Sequence, residues 1–121
     1  MRQQHAGFTL IELLISIAII GTLSATLMPN LLGARARAQD TVTVTFLRQA
    51  ALEQELHHMY YSTYAATVAE LGGTAALPPS VSIVSESGDP SSFCIVAKYA
   101  TANSRTFNVT PGGSVTEGTC S

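Results

Sequence analysis

One run of apolar residues limits what this chain can fold into. It extends from Phe8 to Met28 and contains a single charged residue, Glu12. Twenty-one residues of helix measure about 30 Å, the thickness of a bilayer core. A buried core helix this apolar needs more surrounding chain than remains, and a secretory signal peptide has a shorter apolar stretch. The run therefore predicts a membrane-spanning helix.

The flanking sequence and the composition give the expected orientation. Arg2 and His5 precede the run, so this end is expected to stay cytoplasmic and the remainder to lie outside the inner membrane. Six Lys or Arg oppose eight Asp or Glu, so no strong field is available to attract nucleic acid along the whole chain. The length of 121 residues allows one domain.

The helix is expected to continue beyond the membrane. Gly21 and Pro29 are soft points at which it kinks or weakens, and after Pro29 the pattern becomes amphipathic. Asp40–Phe46 alternates with β-branched residues, which locally favours a strand, but helical sequence on both sides favours a helix. We predict one helix from Phe8 to about Tyr61. Its expected apolar stripe comprises Leu31, Leu32, Ala36, Phe46, Leu47, Ala50, Leu52, Leu56 and Met59.

Short strands are expected in the remainder. Gly72-Gly73 and Pro78-Pro79 mark turns. The predicted strands are Val81–Val84, Phe93–Tyr99, Thr106–Thr110 and Ser114–Thr116, the last two forming a hairpin around Pro-Gly-Gly. The fold class is therefore α+β: a long N-terminal helix, with a transmembrane half and an amphipathic half, packed on a small antiparallel β-sheet.

Glu12 is the residue that points most directly to chemistry. A carboxylate inside a bilayer-spanning segment is costly and indicates a specific partner. If a peptidase cuts between Gly7 and Phe8, the new α-amino cation lies one helical turn before Glu12. The amine of a neighbouring subunit can occupy the same place, and the carboxylate then sets the axial register of stacked helices. The alternative is a Glu that reaches the membrane interface without a partner.

The segment GFTLIELL, followed by an apolar run and Pro29, resembles the type IV prepilin family, closest to the type IVa class. The resemblance implies a pilin fold, cleavage between Gly7 and Phe8, N-methylation of Phe8 and assembly through Glu12. It also implies unwinding of the helix between Gly21 and Pro29 inside the filament. The type II secretion pseudopilins share this N-terminal pattern.

Cys94 and Cys120 are the only cysteines, and their spacing fits neither a C-x-x-C redox pair nor a zinc pattern. In an exported domain they most simply form one disulfide, worth about 3 kcal/mol; two free thiols are the alternative. The resemblance also matches them to the pair that bounds the family's variable C-terminal region.

The other candidate residues are more typical of an ordinary protein surface than of a functional site. Glu53 with His57 is a weak metal candidate, and Glu86, Asp89 and Glu117 form a weak calcium candidate, so no metal and no cofactor are expected. No spacing of the Ser, His and acidic residues indicates a nucleophile with its base, so the chain is not expected to be an enzyme. The remaining groups are an Arg35, Arg37 and Arg48 strip, a Tyr60, Tyr61 and Tyr64 packing cluster, and a glycosylation sequon at Asn108.

These features predict a domain order and a function. The order is a leader, 1–7; an assembly helix, 8–30; an amphipathic helix, 31–64; and a β head, 65–121. The resemblance implies a type IV pilus subunit that moves from the inner membrane to a surface filament for adhesion, twitching motility or DNA uptake. Expected partners are identical subunits and other pilins, a prepilin peptidase, the inner-membrane assembly platform and, as an open question, DNA. The alternatives are a type II secretion pseudopilin and a membrane-anchored binding module that does not polymerise.

Overall fold

A computed structural model describes residues 7–72 and 76–120 of the chain. The predicted leader therefore lies, apart from Gly7, outside the described residues, as does Gly73 of the predicted turn. The elements are α1, Leu10–Tyr61; a short 3₁₀ helix, Val68–Leu71; and four strands, β1, Val81–Gly88; β2, Phe93–Tyr99; β3, Thr106–Val109; and β4, Val115–Glu117. The α+β class and the position of every predicted strand are confirmed.

Helix α1 continues through both of its predicted soft points. Pro29 lies inside the helix, and Gly21 is helical as well. The β-branched stretch that locally favours a strand is also helical. There the hydroxyls of Thr41 and Thr45 donate to carbonyls one turn back, at 2.9 and 2.8 Å. The helix prediction for this stretch is confirmed, because side-chain bonding to the preceding turn satisfies the threonines within a helix.

The chain divides into two compact units, one ending at Arg35 and the other beginning at Ala36. Within the first unit, the described residues are a helical segment whose large apolar side chains are exposed. Among the described residues one helix, α1, is both long enough and apolar enough to cross a membrane. Its most apolar window has a mean hydropathy of 2.1. A helix that is apolar all round is stable only when lipid or other protein surrounds it.

The second unit has its core between α1 and a four-stranded sheet. The strands are antiparallel in the order β1-β2-β3-β4. From α1 the core takes Phe46, Leu47, Ala50 and Ala51, which are all buried. From the sheet it takes Val81, Phe93, Ile95, Ala97 and Val109. Burial of these apolar side chains is the main favourable term in the stability of this unit.

The predicted apolar stripe on α1 is partly wrong. Leu52, Leu56 and Met59 are exposed, Leu52 to 67% and Met59 to 79%, and Leu31 and Leu32 of the first unit are exposed too. The sheet covers only the face that carries Phe46, Leu47 and Ala50, and this face also buries Thr43 and Gln54. Both polar residues are accommodated because each is hydrogen-bonded, Thr43 to the carbonyl of Gln39 and Gln54 to Ala65.

The segment after α1 is fastened to the helix and to β1. The Gln54 side chain donates to the carbonyl of Ala65 at 2.9 Å and accepts from its amide at 2.8 Å. Gly88 allows the same backbone to lie against β1, since a Cβ there would stand 2.1 Å from the Ala65 carbonyl oxygen. The amide of Tyr64 donates to the carbonyl of Asp89. These contacts hold the segment against the C-terminal end of β1.

The predicted tyrosine cluster is only partly present. The Tyr64 ring lies between His58 and Phe93, with centroid distances of 4.4 and 4.9 Å. Tyr60 and Tyr61 are exposed instead, and the prediction that all three pack together is wrong for these two. The reason is that α1 ends at Tyr61, and the chain turns toward the sheet only afterwards, through Ser62 with a positive φ of 56°.

Candidate assembly site at the start of α1

The first turn of α1 is closed by a reciprocal pair of side chains. The Glu12 carboxylate accepts from the Thr9 amide at 2.8 Å and from the Thr9 hydroxyl at 2.9 Å. The Thr9 hydroxyl in turn accepts from the Glu12 amide at 3.3 Å. This is a capping box, in which two residues three apart satisfy amides that have no partner within the helix. Glu12 therefore has a hydrogen-bonded position within a single chain.

The predicted cleavage site lies directly before this box. Gly7 has no protein atom within 4 Å of where a Cβ would stand. The Phe8 side chain is 85% exposed, and neither residue belongs to α1. The negative Glu12 side chain also lies at the positive end of the helix dipole, which favours a carboxylate there.

Thr9 is the residue that the sequence analysis missed. Its signal was present in the chain, because Thr9 and Glu12 have the Thr-x-x-Glu spacing of a capping box at the start of an apolar helix. The structure shows that both residues define the beginning of α1 and share the same hydrogen bonds.

The cysteine pair belongs to the second unit. Cys94 of β2 and Cys120 form a disulfide that spans 26 residues of sequence, so neither is a free thiol. The bond joins β2 to the segment that follows β4. The disulfide is thus a structural link across the C-terminal part of the sheet, as the sequence predicted.

The acidic residues weighed as a calcium site have separate partners. Glu86 accepts from the amide of Val68 at 2.8 Å, and Glu117 pairs with Arg105 at 3.3 Å. Asp89 accepts from the hydroxyl and amide of Ser91 and from the amide of Ser92, and these bonds hold the pKa of its carboxyl below the ordinary value. Within residues 7–72 and 76–120, no group of three or more His, Cys, Asp or Glu is placed to hold a metal.

The two histidines near the end of α1 bind loop carbonyls. His57 contacts the carbonyl of Thr63 through Nδ1 at 2.9 Å, and His58 contacts that of Pro90 through Nε2 at 3.2 Å. A carbonyl only accepts, so each of these ring nitrogens donates. The side chain of Asn108, the predicted sequon residue, is buried and accepts from Thr116. These residues therefore have structural roles in the second unit.

Comparisons with known proteins agree with this arrangement. Residues 2–28 match the prokaryotic N-terminal methylation motif. The chain is 43% identical over 96 residues to the type IV wide pilus major component PilA4 of Thermus thermophilus, covering 78% of this chain and 73% of that protein. It is 28% identical over 78 residues to the type II secretion system core protein G of Dickeya chrysanthemi, covering 64% of this chain and 51% of that protein.

A membrane-length helix that begins at a Thr9–Glu12 capping box and continues into a small antiparallel head defines a pilin-like class of protein. The similarity to the Thermus protein extends over most of both chains. This chain belongs to the type IV pilin family.

Proposed function

We propose that this chain is a structural subunit of a type IV pilus. The observation that carries the proposal is the carboxylate of Glu12 at the head of a membrane-length apolar helix, one turn after an exposed Gly7–Phe8 junction. A charge in that position needs a partner in an apolar environment, and a filament of identical helices supplies one. The relative with 43% identity is named as a pilus major component, which supports the same function.

The proposed sequence of events begins in the inner membrane. A prepilin peptidase removes residues 1–7 and the new amine of Phe8 is methylated. The assembly platform then extracts segment 8–30 from the membrane, and its apolar side chains exchange lipid for neighbouring helices. The amphipathic segment, 31–64, and the head, 65–121, remain on the outside of the filament. Glu12 receives the amine of an adjacent subunit, and the helix unwinds between Gly21 and Pro29 as it packs.

Two measurements test this function. Mass spectrometry of the protein from native cells should show a mature chain that begins at a methylated Phe8. Immunogold electron microscopy with an antibody to the head should decorate long surface filaments. An intact N-terminus and an absence of filaments would contradict the proposal and favour a membrane-anchored binding module.

The second candidate function is that of a type II secretion pseudopilin, favoured by the match to core protein G. It shares the cleavage step but predicts a short periplasmic filament. Label confined to the cell envelope, on a chain that is cleaved after Gly7, would favour this candidate. Adhesion, twitching motility and DNA uptake are proposed roles of the filament, and each is testable by deletion of the gene followed by the corresponding assay.

A further inference from the structure

The last turns of α1 expose two aromatic rings. Tyr60 is 82% exposed and Tyr61 is 70% exposed. Leu56, one turn before Tyr60, is exposed as well. Single exposed apolar residues are ordinary, but a contiguous group of them is typical of a binding surface. Tyrosine suits such a surface, because its ring is apolar on its faces and polar at its hydroxyl.

These residues line a cleft in the second unit. The end cleft, lined by Leu56, Tyr60, Tyr61, Glu70 and Leu71 among others, lies between the last turns of α1 and the 3₁₀ helix. Its volume is about 440 Å³, within the range of small-molecule sites, about 300–1,000 Å³. Aromatic and aliphatic side chains with a few polar groups are the usual lining of such sites. The end cleft therefore has the size and the lining of a ligand site.

Contacts within the chain hold two of these side chains in place. His57 also lines the end cleft; its Nδ1 donates to the carbonyl of Thr63, and its ring lies against Tyr61 with 4.6 Å between centroids. Glu70 accepts from the amide of Ala66 at 3.0 Å. A site whose side chains are ordered before a ligand arrives loses less conformational entropy on binding. The Tyr61 ring and the Glu70 carboxylate are therefore preorganised.

The charged residues of this region have one sign. Between Gln49 and Ala97 the sequence contains acidic residues and no Lys or Arg. The acidic residues are Glu53, Glu55, Glu70, Glu86 and Asp89. Glu53 and Glu70 line the end cleft, and none of the described residues that line it is Lys or Arg. In addition, α1 ends at Tyr61, and the C-terminal end of a helix carries a partial negative charge. The end cleft therefore favours a positively charged ligand.

The lining favours an organic cation over a metal ion. Within residues 7–72 and 76–120, no His, Cys, Asp and Glu side chains converge as a metal site requires. Aromatic rings attract an ammonium group to their faces, and quaternary ammonium groups are the ligands typical of such sites. A quaternary ammonium group has no N–H to donate. It is therefore stabilised by aromatic and apolar surface with negative charge nearby, and the end cleft has both.

We propose that the end cleft binds a quaternary ammonium group, with its methyl groups against the rings of Tyr60 and Tyr61 and its charge near the Glu70 carboxylate. Leu56 and Leu71 supply further apolar surface for the methyl groups. Such a group occurs in free solutes and in choline-bearing headgroups, and the end cleft recognises the part that they share. The inference goes beyond the proposed pilus function and does not depend on it, because the site lies within a single chain.

Ligand-detected NMR tests the site on the full-length chain in a detergent with an uncharged headgroup. Saturation transfer to the methyl protons of choline, followed through a titration, gives the Kd, and micelles without protein are the blank. The matched ligand is the uncharged isostere of choline, in which a carbon atom replaces the nitrogen. Choline should bind about five-fold more tightly than the isostere, and added sodium chloride should weaken its binding. Equal binding of the two ligands, or no binding of choline, would overturn the proposal.

Substitutions locate the site. Tyr60→Leu and Tyr61→Leu should each raise the Kd for choline about two- to five-fold, because each removes an aromatic ring and keeps apolar surface. Glu70→Gln should have an effect of about the same size, although a glutamine can still accept from the Ala66 amide. Tyr60→Phe keeps the ring and should bind choline like the wild type. Circular dichroism checks that each variant is folded.

Met59→Leu is the matched control for these substitutions. Met59 is 79% exposed in the same turn of α1 as Tyr60 but is not among the described residues that line the end cleft. Its substitution should leave the Kd for choline unchanged. If Met59→Leu weakens binding as much as Tyr60→Leu does, choline is not bound in the end cleft and the proposal is wrong.

A third ligand distinguishes the two sources of the ammonium group. Glycerophosphocholine is the water-soluble form of a lipid headgroup and carries a phosphate as well. This phosphate meets the acidic surface around the end cleft, so we expect weaker binding than that of choline. That order supports a free solute as the ligand, and the reverse order supports a headgroup. An absence of filaments from native cells would contradict the proposed pilus function and leave these measurements unaffected.

Discussion

Single residues in the second unit satisfy backbone groups that have no other partner. Gln54 is the clearest case, since its side chain is almost fully buried. Its Nε2 donates to the carbonyl of Ala65, and its Oε1 accepts from the amide of Ala65. Ala65 is itself buried. This polar side chain is stable in the core because it hydrogen-bonds the amide and the carbonyl of a loop residue that belongs to neither the helix nor the sheet.

Replacement of Gln54 by leucine should therefore destabilise the folded chain. Gln54→Leu leaves a buried amide and a buried carbonyl without partners, and we expect the free energy of unfolding to fall by about 2–4 kcal/mol. Urea unfolding of the full chain in detergent, followed by tyrosine circular dichroism, measures the change. Gln49→Leu is the matched control, because Gln49 is exposed on the same helix. Equal effects of the two substitutions would contradict the role given to Gln54.

Asp89 should contribute a pH-dependent part of the stability. Its folded pKa is lowered by the Ser91 hydroxyl and by the amides of Ser91 and Ser92. A lowered pKa stabilises the fold above the unfolded value of about 3.9, and this contribution is lost as the pH falls through the folded value. Asp89→Asn should lose less stability than the wild type between about pH 5 and pH 3. Ser91→Ala should fall between the two. Identical acid profiles for all three proteins would show that these bonds do not favour the charged carboxylate.

At the scale of elements, the sequence predicted local structure better than packing. The end of α1 and the bounds of β2 agree with prediction, because periodicity and turn residues act over short distances. The spacing predicts Leu52, Leu56 and Met59 on the apolar stripe, because the helical period is the same whether an apolar residue meets the sheet or is exposed. The bond between Gln54 and Ala65 joins residues eleven apart across a turn, and no local pattern predicts it. Thr9, in contrast, was predictable from its spacing to Glu12.

The disulfide joins elements that the sheet alone holds weakly. β4 has three residues and lies at an edge of the sheet, and Cys120 follows it. The link to Cys94 restricts the unfolded chain as well as the folded one. The double variant Cys94→Ser, Cys120→Ser should lower the free energy of unfolding by about 3 kcal/mol.

Urea unfolding under oxidising conditions measures this loss, and the wild type with a reductant is its control. The reduced wild type should resemble the variant. If the variant and the oxidised wild type unfold at the same urea concentration, the pair does not stabilise the head.

At the scale of the whole molecule, the two units differ in whether their apolar side chains are buried within the chain. The described residues of the first unit bury none of their large apolar side chains within the chain, and the second unit has a closed core. The first unit therefore depends on lipid or on other subunits for the burial that folding requires. Glu12 lies near the beginning of this dependent segment, and a charge in an apolar environment is costly in the absence of a partner.

The capping role of Glu12 and its proposed pairing role can be separated by substitution. Within one chain it completes a capping box with Thr9, and a glutamine completes such a box as well. Pairing with the amine of a neighbouring subunit requires the negative charge, which glutamine lacks. Glu12→Gln should therefore keep the start of α1 intact but lose assembly. Glu12→Ala should lose both.

We expect both variants to be cleaved after Gly7 and to reach wild-type amounts in the membrane, with at least ten-fold less sheared filament. Mass spectrometry of the membrane fraction checks cleavage, and immunoblots of the sheared fraction check assembly. Thr9→Val is the matched control, since it removes the hydroxyl of the box and keeps the carboxylate. If Glu12→Gln assembles as well as the wild type while Thr9→Val does not, the charge is not required and capping is the function of Glu12. If Thr9→Val and Glu12→Gln both assemble normally, neither interaction controls the register of the filament.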